Sequence, residues 1–468
     1  MSGATHSYAY LRSSGVDLAS RRARLQTAGG VTVAGPAANP RFFTGSLAGA
    51  EQAAAGLLAV ARVAQARYYQ PQAAALRDPV VTCNGDRLRF ESFSGCCGVY
   101  ARLDVLSEAL DGEVHDRGTT NVDVNGPLRE ALARVGGADP LHLAVGPDEL
   151  AVTTLDGPVV EKKVPLPERW LRGFAEVQVL AARFDLRAEL AAAEGLRFLR
   201  ALPGARTGAA LWAVPAGRSL RLAARPVPGA VCVPGPQRLQ ALAPLLRHAR
   251  ALRAYGPVVA ATSPPTASAW ELVLEGMRLL VMVSPEPYRG FSGEGAVLEA
   301  LASHQVDTDA DLVGALLAFE PRVEVDLLAE RSELSPAQVL AALGQLGTAG
   351  RVGYDLAEAA YFHRELPYDA GRVERLNPRL GNARALAASG AVRLDGDLAS
   401  VVVGDHEHRV RFDGDAAVAC TCPWWARYRG SRGKCKHVLA VELVRAGQPV
   451  VPAGSAAAGR AGRSCDGP

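Results

Sequence analysis

Three cysteines and a histidine crowd into one short stretch of this chain: Cys420, Cys422, Cys435 and His437, spaced C-x-C-x12-C-x-H. Zinc in a structural site takes four ligands in a tetrahedron, from thiolate sulfur and imidazole nitrogen, so the set is complete for one ion. Cys-x-Cys fits a strand end or turn that aims both sulfurs to the same side. Cys435 and His437 open an apolar helical run, Val438 to Val444, whose N-terminal amides and positive end suit thiolates. Three thiolates and a divalent cation leave one net negative charge. Arg427, Arg429, Arg432, Lys434 and Lys436 surround it, with no acid from Ala416 to Val441. A disulfide framework is not needed in a chain of 468 residues. A redox dithiol wants a two-residue gap and a thioredoxin-like surround, and neither is present.

The pattern resembles the SWIM zinc-binding domain, C-x-C, a variable gap, then C-x-H. A helix at Arg384 to Ala391 and strands at Val392 to Leu394, Leu398 to Val403 and His408 to Phe412 precede the metal segment, and Cys435-Lys436-His437 leads into an apolar helix. The resemblance covers roughly residues 375 to 447 and places all four ligands, Cys420, Cys422, Cys435 and His437. SWIM domains occur beside Swi/Snf-type ATPases, in Mutator-like transposases and in ubiquitin-ligase-like proteins. The resemblance therefore implies one structural zinc and a partner that is DNA or protein, without catalysis. The loop Arg427 to Lys434 offers phosphate contacts, with Arg427, Arg429, Arg432, Lys434 and Lys436 as cations and Trp424 and Trp425 as stacking platforms. The alternative is that these cations balance the thiolates and the tryptophans pack a small domain.

The rest of the chain reads as a multidomain α+β protein. Residues 1–75 form an N-terminal segment with a helical pattern opening at Ser46. A first α+β unit spans 76–204, with a hairpin turning at Asn84-Gly85, a helix after Pro127 and helical spacing from Glu168 to Leu202. A second spans 205–290. Val122-x-Val124-x-Gly126-Pro127-x-Arg129 matches Val231-x-Val233-x-Gly235-Pro236-x-Arg238. Each match precedes a helix and a hairpin, the hairpins being Leu143–Val152 and Leu272–Val281, which suggests duplicated β-α-β-β units covering each other's apolar sheet faces. Residues 291–370 resemble a winged helix. Its helices include a short one at Leu298 and Leu301 and a last one opened by a Ser335-Pro336-x-Gln338 capping box, with a hairpin after Gly350. That last helix carries no Lys or Arg, so an architectural or protein-contacting role is expected of it. Residues 371–447 are the zinc domain, and the Ala-, Gly- and Arg-rich tail 448–468, with Cys465, is expected to be disordered.

No phosphate loop, nucleophile elbow or H-E-x-x-H motif occurs, so an enzyme is not expected. Cys96-Cys97 with His115 is the one nucleophile candidate, and two small residues at a strand turn is its plainer reading. No small-molecule substrate suggests itself. The net charge of +3 does not by itself point to nucleic acid. No apolar run reaches the length that spans a bilayer, so a cytoplasmic, bacterial protein is expected. A pure protein-interaction adaptor and an enzyme sited in the N-terminal region are the competing readings.

Overall fold

The computed structural model describes residues 41–68, 79–204 except 165 and 167, 210–285, 290–291, 304–366, 378–429 except 415, and 434–445, with the backbone of four short strands between Gly15 and Ala37. The helix expected at Leu298 and Leu301, Arg432, the tail and Cys465 lie outside the described residues.

The first half of the body runs β1 (Phe43–Leu47), α1 (Ala50–Gln65), β2 (Val80–Cys83), β3 (Leu88–Phe93), β4 (Val99–Val105), β5 (Leu110–Val114) and β6 (Gly118–Asn121). It continues with α2 (Gly126–Arg134), β7 (His142–Val145), β8 (Glu149–Thr154) and β9 (Gly157–Lys162). After α3 (Glu168–Ala181) the second half runs β10 (Asp185–Ala191), α4 (Ala192–Ala201), β11 (Leu211–Ala216), β12 (Ser219–Ala223) and β13 (Val231–Val233). A 3₁₀ helix (Pro236–His248), β14 (Ala251–Gly256), β15 (Ser268–Val273) and β16 (Met277–Val283) complete it. An eight-stranded sheet of order β6-β2-β3-β4-β16-β15-β14-β10 joins the halves, and five- and three-stranded sheets, β9-β8-β7-β1-β5 and β12-β11-β13, flank it.

The two halves therefore meet edge to edge, through antiparallel pairing of β16 with β4 (Val281 opposite Ala101), and not face to face as the repeat suggested. The hairpins equated by sequence are also out of step. Leu143 and Leu150 lie on the first two strands after α2, whereas Leu272 and Leu279 lie on the second and third strands after the 3₁₀ helix, because β14 intervenes. Helical spacing from Glu168 to Leu202 is interrupted by β10. Its sequence favours helix, but pairing with β14 along the sheet edge overrides local propensity. The helical pattern that seemed to open at Ser46 starts at Ala50, since Ser46 belongs to β1.

The two faces of the eight-stranded sheet have different chemistry, as period-two alternation requires. One face carries Val81, Phe90, Ala101, Leu103, Leu279 and Val281 and packs under α1, α2, α4 and the 3₁₀ helix. Gly56 in α1 lets that helix approach closely, because a Cβ there would stand 2.8 Å from Leu103 Cδ1. The opposite face presents Arg89, Glu91, Arg102, Asp104, Glu271 and Arg278, all buried.

That charged face is covered by the winged segment: α5 (His304–Leu316), α6 (Val325–Ser332), α7 (Pro336–Thr348) and the hairpin β17 (Val352–Asp355) and β18 (Ala360–His363). Ser335 caps α7 in a full capping box with Gln338. Asp355 on the hairpin inserts among the sheet arginines, 2.9 Å from Arg89 Nη1, 3.3 Å from Arg102 Nη2 and 2.8 Å from Arg278 Nη2. Asn84 Nδ2 donates to the carbonyls of His363 and Phe319 at 2.8 and 3.1 Å.

Helix α3 ties the units together. Trp170 and Phe174 enter an aromatic cluster around Phe93, with the Phe174 ring edge-on at 4.9 Å. Gln178 accepts the backbone N–H of Tyr354, and α3 packs along α7. Ala175 and Val179 meet the C-terminal module at Ala383, Leu439, Ala440 and Leu443. Among the described residues no helix is long and apolar enough to cross a membrane, and the described cysteines are all free.

Candidate metal centre

The C-terminal module consists of α8 (Pro378–Ala388), a four-stranded meander β19 (Val392–Asp395), β20 (Leu398–Val403), β21 (His406–Asp413) and β22 (Ala416–Cys420), α9 (Pro423–Tyr428) and α10 (Lys436–Arg445). Alternation sends Ala399, Val401, Val410 and Phe412 to one face, where they pack with Val438 and Val441 of α10. Helix α10 turns its other side to α8 and α3, so the module's core is continuous with the body.

The strand end, the short helix and the long helix each deliver ligands. Cys420 is the last residue of β22. Cys422 is the N-cap of α9, its Sγ accepting the Trp425 N–H at 3.4 Å, and Pro423 follows at the first helical position. Cys435 stands before α10 and its Sγ accepts the Val438 N–H at 3.5 Å. His437 is in the first turn of α10, with Nδ1 3.9 Å from Cys420 Sγ. All four side chains are buried, and one donor atom from each lies within 4.8 Å of every other. A tetrahedral zinc with bonds of about 2.3 Å to sulfur separates its sulfurs by roughly 3.8 Å, so the cluster fits the ion with little movement.

The protonation of the metal-free cluster follows from crowding three sulfurs out of water. A hydrogen bond from the Cys420 thiol, aided by His437 and the Val438 N–H, brings Cys435 down to about 4 against the opposing effect of burial. The same hydrogen bond, together with burial, holds Cys420 far above the ordinary thiol range. Burial also raises Cys422. Thiolate repulsion in this buried cluster is what a divalent cation offsets, so metal and ionisation of the cysteines are linked.

The sequence-predicted basic and aromatic residues have mixed surroundings. Arg427 and Arg429 are exposed, and Arg429 closes α9 with φ of 45°. Lys436 is half-buried, and Lys434 pairs with Glu442 at 2.9 Å, an acid one residue beyond the acid-free stretch. Trp424 and Trp425 are half-buried against the cysteine-lined core. Trp424 lies between Arg379, whose guanidinium carbon is 4.3 Å from the ring centroid, and Tyr428 at 4.7 Å. Cys96 contacts Ser94 Oγ at 3.4 Å, while His115 is exposed.

Two features were not read from the sequence. His408 lies against the ligand ring, 4.1 Å from His437 between centroids. Its signal was present, since His408, Val410 and Phe412 share parity along β21. The other parity carries the second feature. Arg393 and Arg409 both face Ser400 across the meander, and Arg411 faces Leu398 beside them, so the three arginines share its open face. All three are exposed and none has an acidic partner among the described residues. Three exposed acids share that face: Asp395 faces Leu398 in the row of Arg411, and Glu407 and Asp413 flank Arg409 and Arg411 along β21.

Residues 402–446 match the SWIM zinc finger family. That stretch is a SWIM zinc finger, and its four ligands hold one structural zinc ion. The family match begins within β20 and ends at α10, so it covers the SWIM ligands and part of the meander but none of the body. A comparison with curated proteins returned no match. Among solved structures, the chain is similar to Proliferating Cellular Nuclear Antigen from Entamoeba histolytica, at 11% identity and a TM-score of 0.34 over 53% of this chain and 99% of that one. A likeness this distant carries no inference of fold or function for the rest of the chain.

Proposed function

We propose that the SWIM module is a nucleic-acid-contacting surface organised by its zinc and displayed on the α+β body. The observation that carries this reading is the open face of the meander with Arg393, Arg409 and Arg411, which turns away from α10 and the body. Arg427 in α9 and Arg429 at its end are further exposed cations of the module. Unpaired guanidinium groups on a flat sheet fit phosphate oxygens, and their spacing along a backbone does not depend on sequence. The half-buried Trp424 and Trp425 belong to the packing of the module in this reading, so stacking of bases contributes little. The zinc is structural, because four protein donors leave no position for water or substrate.

Helix α7 of the winged segment takes no part. It has no basic residue, it packs on α3, and its hairpin is locked to the sheet by Asp355. A protein-docking role for this segment is the second reading, favoured by Leu312, Leu327 and Leu340, which are exposed on its three helices.

The test is fluorescence anisotropy of labelled single- and double-stranded DNA with the full-length protein, zinc-loaded and after chelation. Binding by the zinc form that is lost on chelation supports the reading. Binding indifferent to zinc, or none at low salt, overturns it.

A further inference from the structure

The helical face of the body contains a feature unrelated to the zinc finger. Helices α1, α2, α4 and the 3₁₀ helix do not close fully against one another. They leave an open cleft of about 720 Å³, within the range typical of small-molecule sites. Its lining includes Leu58, Leu132, Leu196, Leu199, Leu239 and Leu246, and contains no aromatic side chain. No aromatic side chain is there to stack a planar ring, and the leucines favour an aliphatic ligand body.

The cleft is also charged. Arg62 of α1 and Arg200 of α4 line it, both are exposed, and neither side chain has a hydrogen-bond or ion-pair partner among the described residues. Arg247, by contrast, is paired with Glu51. Two uncompensated guanidinium groups beside a leucine-lined cavity complement a molecule with an anionic head and an aliphatic body. We propose that this cleft binds a long-chain aliphatic anion, with its carboxylate or phosphate head held by Arg62 and Arg200 and its chain laid against the leucines. The two arginines come from opposite halves of the body, α1 from the first and α4 from the second. The ligand would therefore bridge the halves on the face away from the charged cluster.

Calorimetric titration of the full-length protein with laurate, below its micellar concentration, tests this. One laurate per chain is expected, with affinity falling roughly ten- to a hundred-fold in Arg62→Gln/Arg200→Gln as two charge-assisted contacts are lost. Ala243→Trp places bulk in the cleft from an exposed position and is expected to abolish saturable binding while leaving circular dichroism and zinc content unchanged. Absence of saturable binding, unchanged affinity in the double arginine variant, or full binding by Ala243→Trp overturns the assignment.

Discussion

Arg89 Nη1 lies 2.9 Å from Asp355 Oδ2, and 266 residues separate the two in sequence. Neither side chain is more than 1% exposed. This pair is the centre of a buried network in which Arg89, Arg102 and Arg278 meet Asp104 and Asp355, and it welds the winged segment to the eight-stranded sheet. Phe362 roofs it, with the Arg89 guanidinium carbon 3.9 Å from its ring centroid. Gly353, opposite Phe362 in the hairpin, leaves room for that ring, since a Cβ there would fall 2.1 Å from Phe362 Cζ.

Removing one partner leaves a buried charge uncompensated, which costs about 3–5 kcal/mol. Asp355→Ala should lose about that much in urea denaturation, and hydrogen exchange should rise over the hairpin 352–363. A loss below about 1 kcal/mol would show that the network is not what docks the segment. Burial pushes Asp355 up, but Arg102, Arg89 and Arg278 more than reverse this and hold it well below the ordinary carboxylate range. Its folded value is depressed, so its contribution is present above the unfolded value and disappears only as pH falls through the folded one. The segment should stay docked throughout the neutral and mildly acidic range.

Zinc binding should release protons. The shared hydrogen bond holds Cys435 below the ordinary thiol range, whereas that bond and burial raise Cys420 and burial raises Cys422. About two protons should leave per zinc near neutral pH, and affinity should rise up to about a hundred-fold per pH unit below the range where these thiols ionise. Calorimetry in buffers of different ionisation enthalpy measures the count. Cys435→Ser should lose the metal and raise hydrogen exchange across the SWIM module, with the body intact. Stoichiometric zinc in that variant would contradict the ligand set.

The metal ligands were legible because thiolate and imidazole at C-x-C and C-x-H spacing have few other uses. The capping box at Ser335 and the hairpin around Asn84-Gly85 were legible for the same local reason, although the hairpin's tip falls one residue later, at Gly85-Asp86, inside the Asn84–Arg87 pair. The interior of the body was not. Arg89, Arg102 and Asp104 alternate with apolar residues as a solvated strand face would, but the winged segment buries them, and no local pattern announces a partner hundreds of residues away. Strand β10 was hidden too, because Leu186 to Leu190 suits a helix and only the edge of β14 makes it a strand. The open-face arginines needed strand register to appear as one surface.

Ser335→Ala tests the local reading. It removes the side-chain acceptor for the Gln338 N–H at 3.3 Å and should destabilise the protein by about 1 kcal/mol in equilibrium denaturation. No change would mean that the first turn of α7 is held by tertiary packing alone.

Glu161 on β9 supplies a pH dependence. Burial, reinforced by Asp123 and opposed by the Asn125 N–H, pushes it up to about 7. Its folded value exceeds its unfolded one, so its contribution is greatest below the unfolded value and is lost as pH rises through about 7. Glu161→Gln should therefore gain thermal stability relative to the parent between about pH 5 and pH 8. Parallel melting-temperature profiles for the two proteins would contradict this.

The salt dependence of DNA binding tests the account most directly. Each phosphate contact adds about 0.9 to the slope of log affinity against log salt on duplex DNA, and about 0.7 on single strands. Arg393→Ala/Arg409→Ala/Arg411→Ala should keep its zinc, bind more weakly at low salt and lose roughly two to three units of slope. The same slope and affinity as the parent would contradict the assignment of the open SWIM face to nucleic acid.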